Sequence, residues 1–156
     1  MSMFTEEQRQ QIELVAKRYP HRQSAILSAL WIWQDAHGWV SPEGMKAVAD
    51  VLGIPVHVVL GVVSFYTMFN RAPVGRHKLE VCTNVSCMLR GSDRILKHLR
   101  ERLQVDVGGT TADGRFTLVE AECLGSCGTA PAMQVGDDYY ENLNEAAVDA
   151  LLGKLR

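Results

Sequence analysis

The chain has 156 residues, of which 47% are hydrophobic and 22% charged, and its formal net charge is −2. That make-up is globular, with room for one good core or two small ones. It excludes the basic face that nucleic-acid binding needs, and no apolar run reaches the roughly 18–20 residues that span a bilayer.

The opening, MSMFTEEQRQQIEL, is acidic and amphipathic and lacks the charged and apolar regions of a secretory signal. A cytoplasmic setting is therefore expected, one in which thiols stay reduced. Thr5 with Gln8 three residues on reads as a capping box, and Ile12, Val15, Ala16 and Tyr19 recur at helical spacing until Pro20. A second helix is predicted from Gln23 to Ala36, followed by Gly38. A third starts at Ser41-Pro42, carries Met45, Val48, Ala49 and Leu52, and closes at Gly53. Ile54-Pro55 opens a fourth through VHVVLGVVSFYTMF, apolar nearly all round and so expected to be buried in a core or against another chain.

Periodicity changes at Arg71-Ala72-Pro73-Val74-Gly75, which sets the expected boundary between a helical domain, residues 1–72, and a second domain, residues 73–156. HKLEVC (77–82) alternates like a strand, and Ser92–Leu103 returns to a helical pattern through Ile95, Leu96, Leu99 and Leu103. Past the Asp113-Gly114 turn come a strand at 115–121 and a hairpin of 131–135 with 138–141. Asn144 then caps a last helix bearing Ala147, Val148, Leu151, Leu152 and Leu155. The order βα then βββα fits an α+β layer of one sheet with helices packed on it.

All four cysteines lie in this second part, as Cys82-x4-Cys87 and, after thirty-five intervening residues, Cys123-x3-Cys127. Both pairs fall at strand ends, in segments that read as loops rich in small and polar residues. If the two strands are parallel neighbours, all four sulfurs emerge at one edge of the sheet. Four thiolates suit a [2Fe–2S] cluster or a structural zinc ion, and the spacing alone leaves both open. A thiol–disulfide enzyme calls for C-x-x-C at a helix start, which neither pair has. Inert burial does not explain two tight pairs with no cysteine elsewhere. The glycines around the loops permit tight turns, and N–H groups of Gly125, Gly128, Asn84 and Ser126 are candidate donors to sulfur.

The remaining candidates read as structural. His21, His37, His57, His77 and His98 are scattered without ligand spacing, and Trp31, Trp33 and Trp39 read as helix packing. Phe65, Tyr66, Met68 and Phe69 are either core or an apolar docking face. Asp137, Asp138 and Glu141 read as a solvated turn. Neither G-x-G-x-x-G nor G-x-x-x-x-G-K-[ST] occurs, so no nucleotide-phosphate loop is evident. The residues thus show no site for a hydride donor.

GWVSPEGMKAVADVLGIP (38–55), GVVSFYTMF (61–69), PVGRH (73–77), CTNVSCMLRG and CLGSCGTAPAMQV together resemble the 24-kDa, E-type subunit family of NADH:quinone oxidoreductase, respiratory complex I. The resemblance implies an N-terminal helical bundle for assembly, then a thioredoxin-like α/β domain holding one [2Fe–2S] cluster on Cys82, Cys87, Cys123 and Cys127. It implies single-electron exchange with the FMN of a 51-kDa, F-type flavoprotein subunit that binds NADH and a [4Fe–4S] cluster, off the main electron route. It also implies further peripheral-arm partners on the cytoplasmic side of an inner-membrane complex, without membrane insertion of this chain. Related subunits of NAD-linked formate dehydrogenases and hydrogenases share these motifs, and a zinc-stabilised assembly adaptor is the competing non-redox class. The residues do not set the parent complex, the redox potential or the isomer of Ala130-Pro131.

Overall fold

A computed structural model describes residues 4–155. The chain divides into two compact units, Met1–Pro73 and Val74–Arg156, each with its own core.

The first unit is helical: α1 (Glu6–Ala16), a 3-10 turn (Arg22–Ala25), α2 (Ile26–His37), α3 (Pro42–Leu52) and α4 (Val56–Phe65). Local signals set the starts. Thr5 and Gln8 form the full capping box on α1, and Ser41 accepts from the Gly44 N–H ahead of a proline-led α3. Gly38 and Gly53, both left-handed, end α2 and α3. Arg22 makes long-range bonds that spacing does not reveal. Its guanidinium meets Glu13 on α1 and donates to the Val51 and Leu52 carbonyls at the end of α3, where a cation is favoured.

Trp33 is the centre of this core, 2% exposed. Phe4 meets it edge-on at 5.3 Å and His37 stacks on it at 4.0 Å. Gly44 of α3 sits so close that a Cβ there would lie 2.3 Å from the indole nitrogen. Gln34 ties the chain beyond α4 back to α2, giving Nε2–H to the Met68 carbonyl at 3.0 Å and accepting the Asn70 N–H at 2.7 Å.

Two helical expectations change. The second helix begins at Ile26 rather than Gln23, because the preceding turn winds as 3-10. The fourth ends at Phe65, short of Phe69, and buries only Val59 and Val63 fully. Val56, Leu60 and Phe65 are exposed, Phe65 by 77%, while Phe69 turns into the core. Trp33 is packing as expected, whereas Trp31 remains 41% exposed beside Phe69.

The second unit is built on a four-stranded mixed sheet of β1 (His77–Cys82), β2 (Phe116–Ala121), β3 (Met133–Val135) and β4 (Asp138–Tyr140), in the order β2-β1-β3-β4. β1 and β2 are parallel, with His77 opposite Phe116 and Cys82 opposite Ala121. β3 runs antiparallel to both β1 and β4. Between β1 and β2 the chain forms α5 (Val85–Leu89) and α6 (Ser92–Leu103), and α7 (Glu145–Lys154) follows β4. Leu79, Val81, Phe116, Leu118, Met133 and Val135 pack with Ile95 and Leu99 of α6 and Val148 and Leu151 of α7. These residues alternate along their strands, so one face of the sheet carries the core. The α5 helix is a correction: Cys87 lies on a short helix, not in a loop.

Gly75 enters β1 with no room for a side chain. A Cβ there would meet backbone atoms of Arg115 and Phe116 at 2.9 Å, and its N–H donates to the Thr117 hydroxyl at 2.6 Å. His98 and Arg102 of α6 both reach Asp149 of α7, at 3.0 and 2.8 Å. The His98 hydrogen bond first, then Arg102, holds the Asp149 carboxyl below its ordinary range.

Gly44→Ala is expected to cost about 1–3 kcal/mol by forcing the Trp33 indole out of its seat, read as a lower denaturation midpoint with altered tryptophan fluorescence. The Asp149 contacts stabilise the fold fully above the ordinary carboxylate pKa of about 3.9 and lose that contribution as pH falls through the lowered folded value. Urea midpoints of the wild type and Asp149→Asn should therefore differ at neutral pH and converge in acid.

Candidate metal centre

The parallel register places the ends of β1 and β2 side by side. Cys82 is the last residue of β1, held on one flank by donating its N–H to the Ala132 carbonyl at 3.1 Å. On the other flank the Thr83 N–H reaches the Ala121 carbonyl at 3.2 Å, the last backbone rung between the two strands. Beyond it the chain turns into α5. Asn84 caps that helix, its side-chain oxygen accepting the Val85 N–H at 2.8 Å, and α5 carries Cys87 inward.

The second pair lies on the segment leaving β2. Gly125 takes a left-handed conformation, φ 75°, and its N–H donates to the Cys123 sulfur at 3.4 Å. Cys127 opens a single 3-10 turn ending at Thr129. That turn is braced from the far side of the sheet: the Thr129 hydroxyl donates to the Glu141 carboxylate at 2.5 Å, and the Asn142 N–H donates to the Thr129 carbonyl at 2.7 Å. The Leu143 N–H donates to the Pro131 carbonyl at 3.1 Å, and the Ala130-Pro131 peptide is cis. Arg90, closing α5, donates to the Ala130 carbonyl at 3.4 Å.

The four thiols divide into a buried half and an open half. Cys82 and Cys87 are 3% and 2% exposed and pack with Ala130, Ala132 and Leu124, whereas Cys123 and Cys127 face solvent. Burial is the main influence pushing the Cys87 thiol above its ordinary range. The hydrogen bond with Cys82 and the charges of Cys82 and Cys127 act in the same direction, and the Ala132 N–H opposes them. Cys87 is thus within electrostatic reach of two of the other cysteines. The described contact of the Cys123 sulfur is with Gly125, and among the described residues no three His, Cys, Asp or Glu side chains form a closed ligand set.

This donor set suits a cationic metal group. The Cys87 thiol, whose ionisation burial and the neighbouring sulfurs disfavour, becomes a thiolate beside a cation, which reverses the local electrostatics. A backbone N–H group on sulfur, here from Gly125, is the kind of outer contact that thiolate-held metal groups use. Of the four expected donors only Gly125 is seen in that role. Asn84 acts instead through its side chain, whose amide donates to the Glu122 carbonyl at 2.7 Å. His77 opens β1, at the opposite end of the strand from Cys82, and His98 belongs to the α6–α7 contact.

The sequence profile of the thioredoxin-like [2Fe–2S] ferredoxin family matches residues 12–156. The E 2 subunit of the NADH-quinone oxidoreductase of Rhizobium meliloti is 49% identical over 148 residues, 95% of this chain and 88% of that protein. The mitochondrial NADH dehydrogenase [ubiquinone] flavoprotein 2 of Dictyostelium discoideum is 44% identical across 98% of this chain, which spans 63% of that longer protein. Among solved structures, a chain of an NAD+-reducing [NiFe]-hydrogenase superposes with a TM-score of 0.72 at 24% identity, over 83% of this chain and 22% of that one. That likeness extends to the fold alone. Together with the profile, which runs through both cysteine pairs, these relatives establish that the chain belongs to the thioredoxin-like [2Fe–2S] ferredoxin family.

Proposed function

We propose that this chain is the electron-transfer subunit of an NADH:quinone oxidoreductase. In this reading it exchanges single electrons between the FMN of a 51-kDa, F-type flavoprotein neighbour and a [2Fe–2S] cluster held by Cys82, Cys87, Cys123 and Cys127. The observation that carries it is the delivery of both cysteine segments to one end of a parallel strand pair, in a chain whose relatives are named as the E subunit of that enzyme. Formate dehydrogenase and hydrogenase subunits remain the alternative parents, but the hydrogenase likeness rests on 24% identity.

When bound, such a cluster takes up and releases one electron at a time, gaining a negative charge on reduction. The chain's own residues manage that charge. The Gly125 N–H lies on the Cys123 sulfur and offsets it, favouring the reduced state. The buried side, Cys82 and Cys87 against Ala130, Ala132 and Leu124, excludes water. The open side, Cys123 and Cys127, is where an electron partner comes within reach. Residues 73–156 then form the cluster domain and residues 1–72 a helical bundle that clasps the flavoprotein subunit. The chain sits in the peripheral arm, on the cytoplasmic side of the inner membrane. No helix among the described residues is long and apolar enough to cross a membrane, so attachment runs through other subunits.

Anaerobically purified protein should contain iron and acid-labile sulfide in equal amounts and absorb in the visible. A colourless protein holding zinc without sulfide would overturn the electron-transfer reading in favour of a structural adaptor. Cys123→Ser should weaken cluster retention by at least about tenfold, whereas His98→Ala should leave the spectrum intact, both read by absorbance and metal analysis. NADH should leave the spectrum of the isolated chain unchanged while dithionite bleaches it, and adding the flavoprotein subunit should make NADH effective.

A further inference from the structure

Two chain segments must be held at a fixed separation for four sulfurs to serve one cluster, yet the backbone ladder between them stops early. Its last rung is Thr83 N–H to the Ala121 carbonyl, one residue past Cys82 and two before Cys123. The chain then departs into α5, and no further strand pairing links the two segments. At the next position the Asn84 side-chain amide donates to the Glu122 carbonyl at 2.7 Å, replacing the rung that the backbone can no longer supply. The same side chain accepts the Val85 N–H through its oxygen at 2.8 Å and so starts the helix that carries Cys87. One residue is therefore bonded to the start of the Cys87 helix and to the carbonyl immediately before Cys123, and it lies two positions after Cys82.

We propose that Asn84 is a positioning residue for the iron–sulfur site, a cross-loop clamp that sets the distance between the Cys82/Cys87 and Cys123/Cys127 segments; this rests on the [2Fe–2S] reading above. The clamp requires an amide specifically. A hydroxyl or a carboxylate at this position still caps α5 as well as asparagine does, since serine and aspartate are equally good caps. Serine is too short to reach Glu122, and aspartate has no proton to donate to a carbonyl. Capping and clamping can therefore be separated by substitution, and a clamp lost without loss of the cap leaves the fold in place while loosening the ligand spacing.

The test uses the full chain, loaded with its cluster, as wild type, Asn84→Ser, Asn84→Asp and Asn84→Ala. Iron release to a strong chelator and the EPR spectrum of the dithionite-reduced protein are measured, with the melting midpoint of the chelator-treated chain as the control for fold. Serine and aspartate variants should release iron about tenfold faster than wild type, the loss of one hydrogen bond, with shifted or broadened EPR features and a chelator-treated chain that still melts cooperatively. Release rates and EPR spectra equal to wild type in both variants would overturn the clamp and leave only a cap. So would a change confined to the alanine variant, which lacks both. Wild-type protein without iron and sulfide would instead bring down the cluster reading itself, and the clamp with it.

Discussion

The parallel pairing of β1 and β2 is the constraint on which the rest of the second unit depends. Antiparallel neighbours would send the segments after Cys82 and after Ala121 to opposite ends of the sheet. Parallel neighbours release both at the same end, and the register sets Cys82 directly beside Ala121. Parallel strands need a crossover, and the chain uses it twice over: α6 supplies Ile95 and Leu99 to the core, and α5 presents Cys87 before the crossover begins. β3 then lies antiparallel on the other side of β1, and the Ala132 carbonyl just before it fixes the Cys82 backbone. Topology thus converts two cysteine pairs separated by a long stretch of sequence into one locality.

How that locality is lined decides what it suits. Burial among alanines and a leucine disfavours the ionised form of Cys87, and the neighbouring sulfurs add to the effect. The Ala132 backbone opposes it only partly. In the reading proposed above, a positively charged centre takes all four as thiolates. Bracing comes mainly from backbone and neutral side-chain hydrogen bonds: Thr83 to Ala121, Asn84 to Glu122, Asn142 to Thr129 and Leu143 to Pro131. Glu141, the one carboxylate in this set, reads in the sequence as part of a solvated turn. It accepts the Thr129 hydroxyl and so belongs to the scaffold of the second cysteine segment.

What is legible in the sequence is what local chemistry determines. The Thr5–Gln8 box, the Ser41-Pro42 start and the Asn144 cap all appear as their residues dictate, because capping is settled within four residues. The helix at 85–89 is hidden because five residues are too few to show a period, and its VSCML resembles a loop insertion between two cysteines. The cap signal at Asn84 is the one local mark that could expose it. The Asn84–Glu122 and Thr129–Glu141 bonds join residues outside any local pattern, and no spacing rule foretells them. The α4 helix departs in the opposite sense. Its all-round apolar sequence implies burial in a core or against another chain; within this chain a ten-residue helix hides one stripe, so Val59 and Val63 are enclosed and Leu60 and Phe65 are not.

Electron transfer asks less of side-chain chemistry than bond making does, and the site is built accordingly. No nucleophile, general base or oxyanion donor is needed when the change is one unit of charge. What is needed is a ligand set that moves little between charge states, dipoles already aimed at sulfur, and one side open to a partner. A strand end, a short capped helix and a 3-10 turn tied to the sheet supply the first, and the Gly125 N–H supplies the second. The open face of Cys123 and Cys127 supplies the third. The sequence carries no phosphate-binding loop, and in the reading proposed above hydride chemistry belongs to a neighbour while this chain's task is to hold four sulfurs still.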